Sequence, residues 1–254
     1  MRALPYRALV FAVFLLAYTA PNFAQTLRIE TIEVTPFGFT DSDGKPTGMM
    51  FEIGNRIAEE AGLKYTNHIV PYARTVADLE GGTADLVLRY SNEKLTRVAI
   101  QVVSVVTMPT IIVGPAGVSY PSLDALHGKT VGMVSGGRFD DKFDSDVDIK
   151  KYEVHDYVPI LKMLVAQRID GAIGSSVGIY YSAMRAGIAK GQLGTPLILS
   201  NKDFVLHQSK KTADPTTMRA LKTAVERLNR QGEIRKIVNK YMGEYPWESA
   251  GASK

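Results

Sequence analysis

The sequence predicts an α/β fold in two lobes, on three observations. Short apolar strand patterns alternate with amphipathic helix patterns from Leu27 onward. A second series of the same kind opens near Ser122. The two series also echo one another. Leu79 stands six residues before Asp85, and Leu164 six before Asp170, each within a unit of helix, turn, Asp and apolar strand. Any helix-to-strand unit would show such an echo, and so would two similar lobes.

Residues 27–34 read as a strand, and residues 35–46 as a loop of turn formers. A helix begins at Gly48, with Met50, Ile53, Ile57 and Ala61 at spacings of three and four, and Gly62 caps it. Residues 64–70 form the next strand. Residues 75–80 form a short helix stopped by Gly81-Gly82, residues 84–88 a buried strand, and residues 101–113 a long β-branched strand. The second series runs strand 130–134, helix 158–167 and strand 171–173, with a further strand after about residue 196. Two amphipathic helices close the chain. The first carries Met218, Leu221, Val225 and Leu228 behind an Asp214-Pro215 start; the second carries Ile234, Ile237, Val238 and Tyr241. Crossings between lobes are expected at residues 114–117 and 194–201. The division is then residues 1–24 as a signal peptide, 25–113 plus 200–254 as lobe 1, and 114–199 as lobe 2.

Composition narrows the function. With 254 residues, 45% hydrophobic and 22% charged, the chain is an ordinary globular protein rather than a disordered or repetitive one. Its 30 Lys and Arg against 26 Asp and Glu give a net charge of +4, but no basic run occurs, so nucleic acid is not an expected partner. Cysteine is absent, which excludes disulfides, thiol nucleophiles and Cys-ligated metals. His68, His127, His155 and His207 are scattered without metal-like spacing. No metal and no cofactor are expected.

Arg2 and Arg7 precede an apolar run over residues 8–17, and small and polar residues lead to Ala24. This is the pattern of a secretory signal cut after Ala24, and the run is short for a membrane span. No Cys lies near the cut, so no lipid anchor is expected there. The predicted location is the periplasm, free of the membrane.

Several segments in order resemble the periplasmic solute-binding proteins of the polar amino-acid family, which serve ATP-driven (ABC) importers. They are Pro36-Phe37 with Asp43-Gly44-Lys45-Pro46-Thr47-Gly48, then Glu52-Ile53 through Ala61-Gly62-Leu63. Leu79-Glu80-Gly81-Gly82-Thr83-Ala84-Asp85-Leu86 and Leu123-Asp124-Ala125-Leu126-His127-Gly128-Lys129-Thr130-Val131-Gly132 follow. Leu228 to Gly232 and Ile237 to Gly243 resemble the family's closing helices. The resemblance implies a type II periplasmic binding protein: two α/β lobes, each a sheet flanked by helices, on a two-strand hinge that shuts over a small solute. It implies a membrane permease as partner, a monomer, and no enzymatic activity.

The resemblance also implies a site. Counting from Asp85, the family's carboxylate-gripping Arg falls on Arg97, suited to a two-pronged bond. Tyr72 falls on a pocket wall, Phe37 and Phe39 on an aromatic lid, and Asn92 on a ligand-contacting position. Gly136-Gly137-Arg138 falls on a turn that offers backbone N–H groups. Two departures stand out. Ser175 occupies the place of the acid that holds an amino acid's ammonium, and Met50 replaces a first-lobe acid. An ammonium buried without an anion is costly. Arg74 and Arg89 fall where the family carries small residues, so the cleft is expected to be basic. An anionic solute follows: a carboxylate, a di-acid or an aromatic acid stacking on Tyr72 or Tyr90. The competing expectation pairs Arg74 and Arg89 with Glu52, Glu80 or Glu93. Two other functions share the fold, a periplasmic cyclohexadienyl-dehydratase-like enzyme and a stand-alone ligand sensor. The enzyme would need an acid near the leaving group, for which Glu52 and Glu93 are the candidates.

Overall fold

The computed structural model describes residues 26–242. The expected signal peptide and its cut lie outside them. Ten strands and eight helices alternate along the described chain. In the first half these are β1 (Leu27–Ile32), β2 (Phe39–Thr40), β3 (Pro46–Thr47), α1 (Met49–Glu60), β4 (Tyr65–Val70), α2 (Arg74–Gly81), β5 (Leu86–Tyr90) and α3 (Glu93–Val98). The long β6 (Ala99–Val113) leads into β7 (Thr130–Val134), α4 (Asp141–Ser145), β8 (Lys150–Val154), α5 (Tyr157–Val165), β9 (Gly171–Ser175) and α6 (Ser176–Arg185). The chain returns along β10 (Leu197–Ser209) and ends in α7 (Pro215–Arg230) and α8 (Glu233–Met242).

Eight strands form one sheet in the order β4-β1-β5-β10-β6-β9-β7-β8, and β2 pairs with β3 apart from it. β1 runs parallel to β4 and β5, and β7 parallel to β8 and β9. Between these two parallel groups lie β6 and β10, antiparallel to each other from Leu197↔Ile112 to Ser209↔Ala99. The pair joins β5 at one end, through Phe204 to Gln208, and β9 at the other, through Thr110 to Val113. Bulges interrupt its register between Ile198 and Ser200, Phe204 and Val205, and Leu206 and His207. A two-stranded ribbon with repeated bulges is a natural place for the sheet to bend.

Alternation along the strands sorts the two faces. Ile29 packs toward Gly54 of α1, whereas Glu30 turns under α2 toward Asp78. α1 buries Met49, Met50, Ile53, Ile57 and Ala58, and α7 buries Leu221, Ala224, Val225 and Leu228, all at helical spacing. The Asp214 carboxylate accepts the Thr217 N–H at 2.7 Å, and Pro215 occupies the first turn, so α7 starts where its sequence directs. α3, α4, α6 and β8 were not foreseen. They are short, or their pattern is masked. α6 begins Ser176-Val177-Gly178 and is buried almost all round, which removes the amphipathic signal.

Candidate functional site

The carboxyl ends of the two parallel strand groups face each other, where open α/β sheets bind ligands. Ile32 ends β1 and Val34 follows it, Tyr72 precedes α2, Tyr90 ends β5, and Phe37 comes from the loop after β1. Val134 ends β7, Gly137 and Phe139 follow it, Tyr157 opens α5, and Phe204 is supplied by β10. These ten side chains and backbones enclose an aromatic cleft. Phe204 stacks with Tyr90 and Phe37 at centroid distances of 4.2 and 5.0 Å. The two halves are in contact: the Thr35 N–H donates to Asp156 at 3.0 Å, and the Ser182 hydroxyl donates to the Thr35 carbonyl at 3.4 Å. The space left inside is about 20 Å³, about one water's worth. A larger groove of about 660 Å³ runs between α4 and residues 197–202 of β10. It is open on one side and does not bring the two halves together, so the smaller aromatic cleft is the candidate site.

Tyr157 reaches the cleft because two glycines make way for it. A Cβ on Gly174 or Gly178 would lie 2.4 Å from its ring. Burial pushes the Tyr157 and Tyr90 hydroxyls well above the usual phenol range, so both remain protonated donors. The Tyr90 oxygen lies beside Ser175 and Thr110 without a well-formed hydrogen bond, and the Thr110 hydroxyl also lacks one.

Arg89 is the one expected cation held against this cleft. It is 1% exposed. Its Nη1 donates to the Tyr72 carbonyl at 2.9 Å and to the Thr75 hydroxyl at 2.7 Å, while its Nε has no partner. Its guanidinium carbon lies 3.6 Å from the Tyr72 ring centroid. Among the described residues no carboxylate forms an ion pair with it, so the expected pairing with Glu52, Glu80 or Glu93 is not what the structure has. Its charge also bears on His207, whose buried imidazole is pushed down to about 4, first by burial and then by Arg89.

The other expected cations are exposed and bonded within their own segments. Arg97, 68% exposed, sits in the last turn of α3 and pairs with Glu93. Arg74, 64% exposed, pairs with Asp78 at 2.8 Å. Arg138 is exposed and folds back onto the Gly137 carbonyl at 2.9 Å. The wall facing the cleft is thus aromatic rather than lined by four cations. Asn92 caps α3, accepting the Leu95 N–H at 2.8 Å, and Ser175 caps α6, accepting the Gly178 N–H at 3.0 Å. Phe39 packs on Tyr181 at 6.1 Å rather than on the cleft. Phe37, Tyr72, Tyr90 and Gly137 do line it. Glu52 bonds Tyr241 and Lys240, so neither candidate acid reaches the cleft. Phe139, Tyr157, Phe204 and Thr110 were not singled out from the sequence; a strand-end aromatic looks like any core aromatic. The fold also gathers His127, Asp146 and Asp148, with ligand atoms within 4.8 Å, but on the outer surface of the second half.

Comparison with known proteins agrees with this architecture. A histidine kinase sensor domain similar to periplasmic binding proteins superposes with a TM-score of 0.73 at 18% identity, covering 86% of this chain and 96% of that one. An ancestral arginine-binding protein bound to arginine gives 0.71 at 20% identity, over 86% and 98%. These likenesses show the type II periplasmic binding protein fold. Membrane-bound lytic murein transglycosylase F of Pectobacterium atrosepticum is 25% identical over 232 residues, which are 85% of this chain and 46% of that protein. The chain thus spans about half the length of that curated relative. The family model for bacterial extracellular solute-binding proteins, family 3, matches residues 27–244. The chain belongs to that family.

Proposed function

We propose that the protein is the extracytoplasmic binding component of an ABC-type importer, and that it captures a small organic acid by closing its two halves. The observation that carries the choice of solute is Arg89, a buried guanidinium with no carboxylate partner among the described residues, set directly behind the Tyr72 wall. Removing such a charge from water costs several kcal/mol unless an anion compensates it. A solute carboxylate entering the cleft supplies that anion. The aromatic lining adds apolar surface for the solute's body. Ser175 and Met50, where acids would hold an ammonium in the family, argue in the same direction.

Native mass spectrometry of the protein purified without refolding tests the reading. A copurifying carboxylic acid is expected. Thermal-shift screening should rank organic acids above arginine, glutamine and lysine, because occupancy stabilises by about 2.7 kcal/mol at a hundredfold excess over Kd. A larger shift from those amino acids overturns the choice of solute. The likeness to a kinase sensor domain supports a second reading, a ligand sensor with the same cleft. Co-purification with a permease against co-purification with a receptor separates the two. The likeness to an ancestral amino-acid-binding protein that is a precursor of cyclohexadienyl dehydratase keeps the dehydratase reading in view, and the described lining of the cleft, which carries no carboxylate or imidazole, argues against it.

A further inference from the structure

Burial and hydrogen bonding single out a polar group behind one wall residue of the cleft, Tyr90. Tyr90 is 6% exposed and Thr110 is fully buried, yet neither hydroxyl makes a well-formed hydrogen bond, their polar neighbours being each other and Ser175. Native proteins leave few such groups unmatched, because burying a hydroxyl without a good partner is costly. The two are neighbours. Thr110 on β6 stands opposite Ser175 of β9, and the Tyr90 oxygen lies beside both. Ser175 caps the ten-residue helix α6, whose N-terminal end carries positive potential. Lys202 lies 5.9 Å from the Tyr90 ring. Asp203, the acid nearest in sequence, is exposed and tied to the Thr107 hydroxyl at 2.5 Å. Three hydroxyls able to donate and the positive end of a helix thus meet at this spot, and Asp203, the acid whose charge reaches Tyr90, is held by Thr107.

We propose that Tyr90 Oη and Thr110 Oγ1, at the N-terminus of α6, form a second polar subsite that accepts an oxygen of the solute and rejects an ammonium. The proposal rests on the organic-acid reading above and deepens it: the solute carries its carboxylate toward Arg89 and a second oxygen, keto or carboxylate, toward these hydroxyls. The class is a 2-oxo acid or a di-acid rather than the corresponding amino acid.

Matched pairs that differ only at this group decide the matter: pyruvate and alanine, 4-methyl-2-oxopentanoate and leucine, phenylpyruvate and phenylalanine, 2-oxoglutarate and glutamate. Titration calorimetry is run on the wild type, on Thr110→Val and on Tyr90→Phe, with 3-phenylpropionate and butyrate as acids lacking the second oxygen. The wild type is expected to prefer the oxo member of at least one pair by at least about tenfold, as sites built around a hydrogen bond do. Both substitutions should bring that ratio close to unity. Thr110→Val should also raise the melting temperature of the free protein, since it removes an unmatched buried hydroxyl. A ratio unchanged in both variants, or a wild-type preference for the amino member, overturns the subsite while acid binding stands. Failure of every acid to bind the wild type overturns the organic-acid reading and this one with it.

Discussion

The Arg89 guanidinium stacks 3.6 Å from the Tyr72 ring and donates at 2.9 Å to the carbonyl of the same residue. One tyrosine thus serves as wall to the cleft and as cover for a buried charge. Among the described residues Arg89 is not tied to any acid, so its loss breaks no ion pair there. Arg89→Met should abolish binding of organic acids, at least about fiftyfold in Kd, equivalent to roughly 2.3 kcal/mol. The free protein should stay folded, because relief of the desolvated charge offsets the two lost hydrogen bonds. Calorimetry and thermal melts check both halves. Collapse of the fold would mean that Arg89 is structural first.

Arg97 supplies the contrasting case. Counting along the sequence makes it the carboxylate grip, whereas in the structure its exposed side chain pairs with Glu93 within α3. An exposed i,i+4 pair contributes about 0.3–0.5 kcal/mol. Arg97→Ala should therefore change solute affinity less than about twofold and cost no more than that stability. A loss of binding comparable to that of Arg89→Met would return the grip to α3.

Much of the scaffold was written in local patterns. The 3.6-residue spacing of α1, α7 and α8, the Asp214-Pro215 start and the uncharged run of β6 each report structure decided within a few residues. The site was less legible. Asn92 begins α3, and the direction of Arg97 follows from where that helix starts, which counting from Asp85 does not supply. Arg89 and Tyr90 are adjacent in sequence, but only the pairing of β5 with β10 buries the first under α2 and aims the second at Thr110. Tyr157 became visible as a cleft residue once Gly174 and Gly178 were seen against its ring.

The acid and base responses of Glu30 and His207 should oppose each other. Burial beneath α2, then the hydrogen bond shared with Asp78, push Glu30 from 4.5 up to about 8. The folded protein keeps a proton there that the unfolded chain releases at lower pH. The stability it contributes is complete below about 4.5 and disappears as pH climbs toward 8. Glu30→Gln, which imitates the protonated acid, should flatten that decline when urea midpoints are compared between about pH 5 and about pH 8. His207 acts in the other direction: its pKa falls from 6.5 to about 4, so its contribution is present above 6.5 and is lost on acidification toward 4. A decline over pH 5 to 8 unchanged in Glu30→Gln would place its origin elsewhere.

Gly178→Ala tests how closely the cleft wall is specified. The position is in the first turn of α6, where Ala would ordinarily gain about 1 kcal/mol over Gly in helix propensity. Here the added Cβ would meet Tyr157 Cε2 at 2.4 Å, and Tyr157 is 2% exposed, with Gly174 equally close on the opposite edge of its ring. The ring has nowhere to go except into the cleft or toward β9. Overpacking of that kind costs about 1–3 kcal/mol and outweighs the propensity gain. The variant should be less stable, and its solute affinity should fall because the displaced ring occupies the space the solute needs. Gly191→Ala is the control, since nothing lies within 4 Å of its Cβ and it should leave the urea midpoint unchanged. Near-ultraviolet circular dichroism follows the ring directly. If Gly178→Ala proves as stable as the wild type with an unaltered tyrosine spectrum, then Tyr157 is loosely held, and a rigid aromatic wall is not what shapes this cleft.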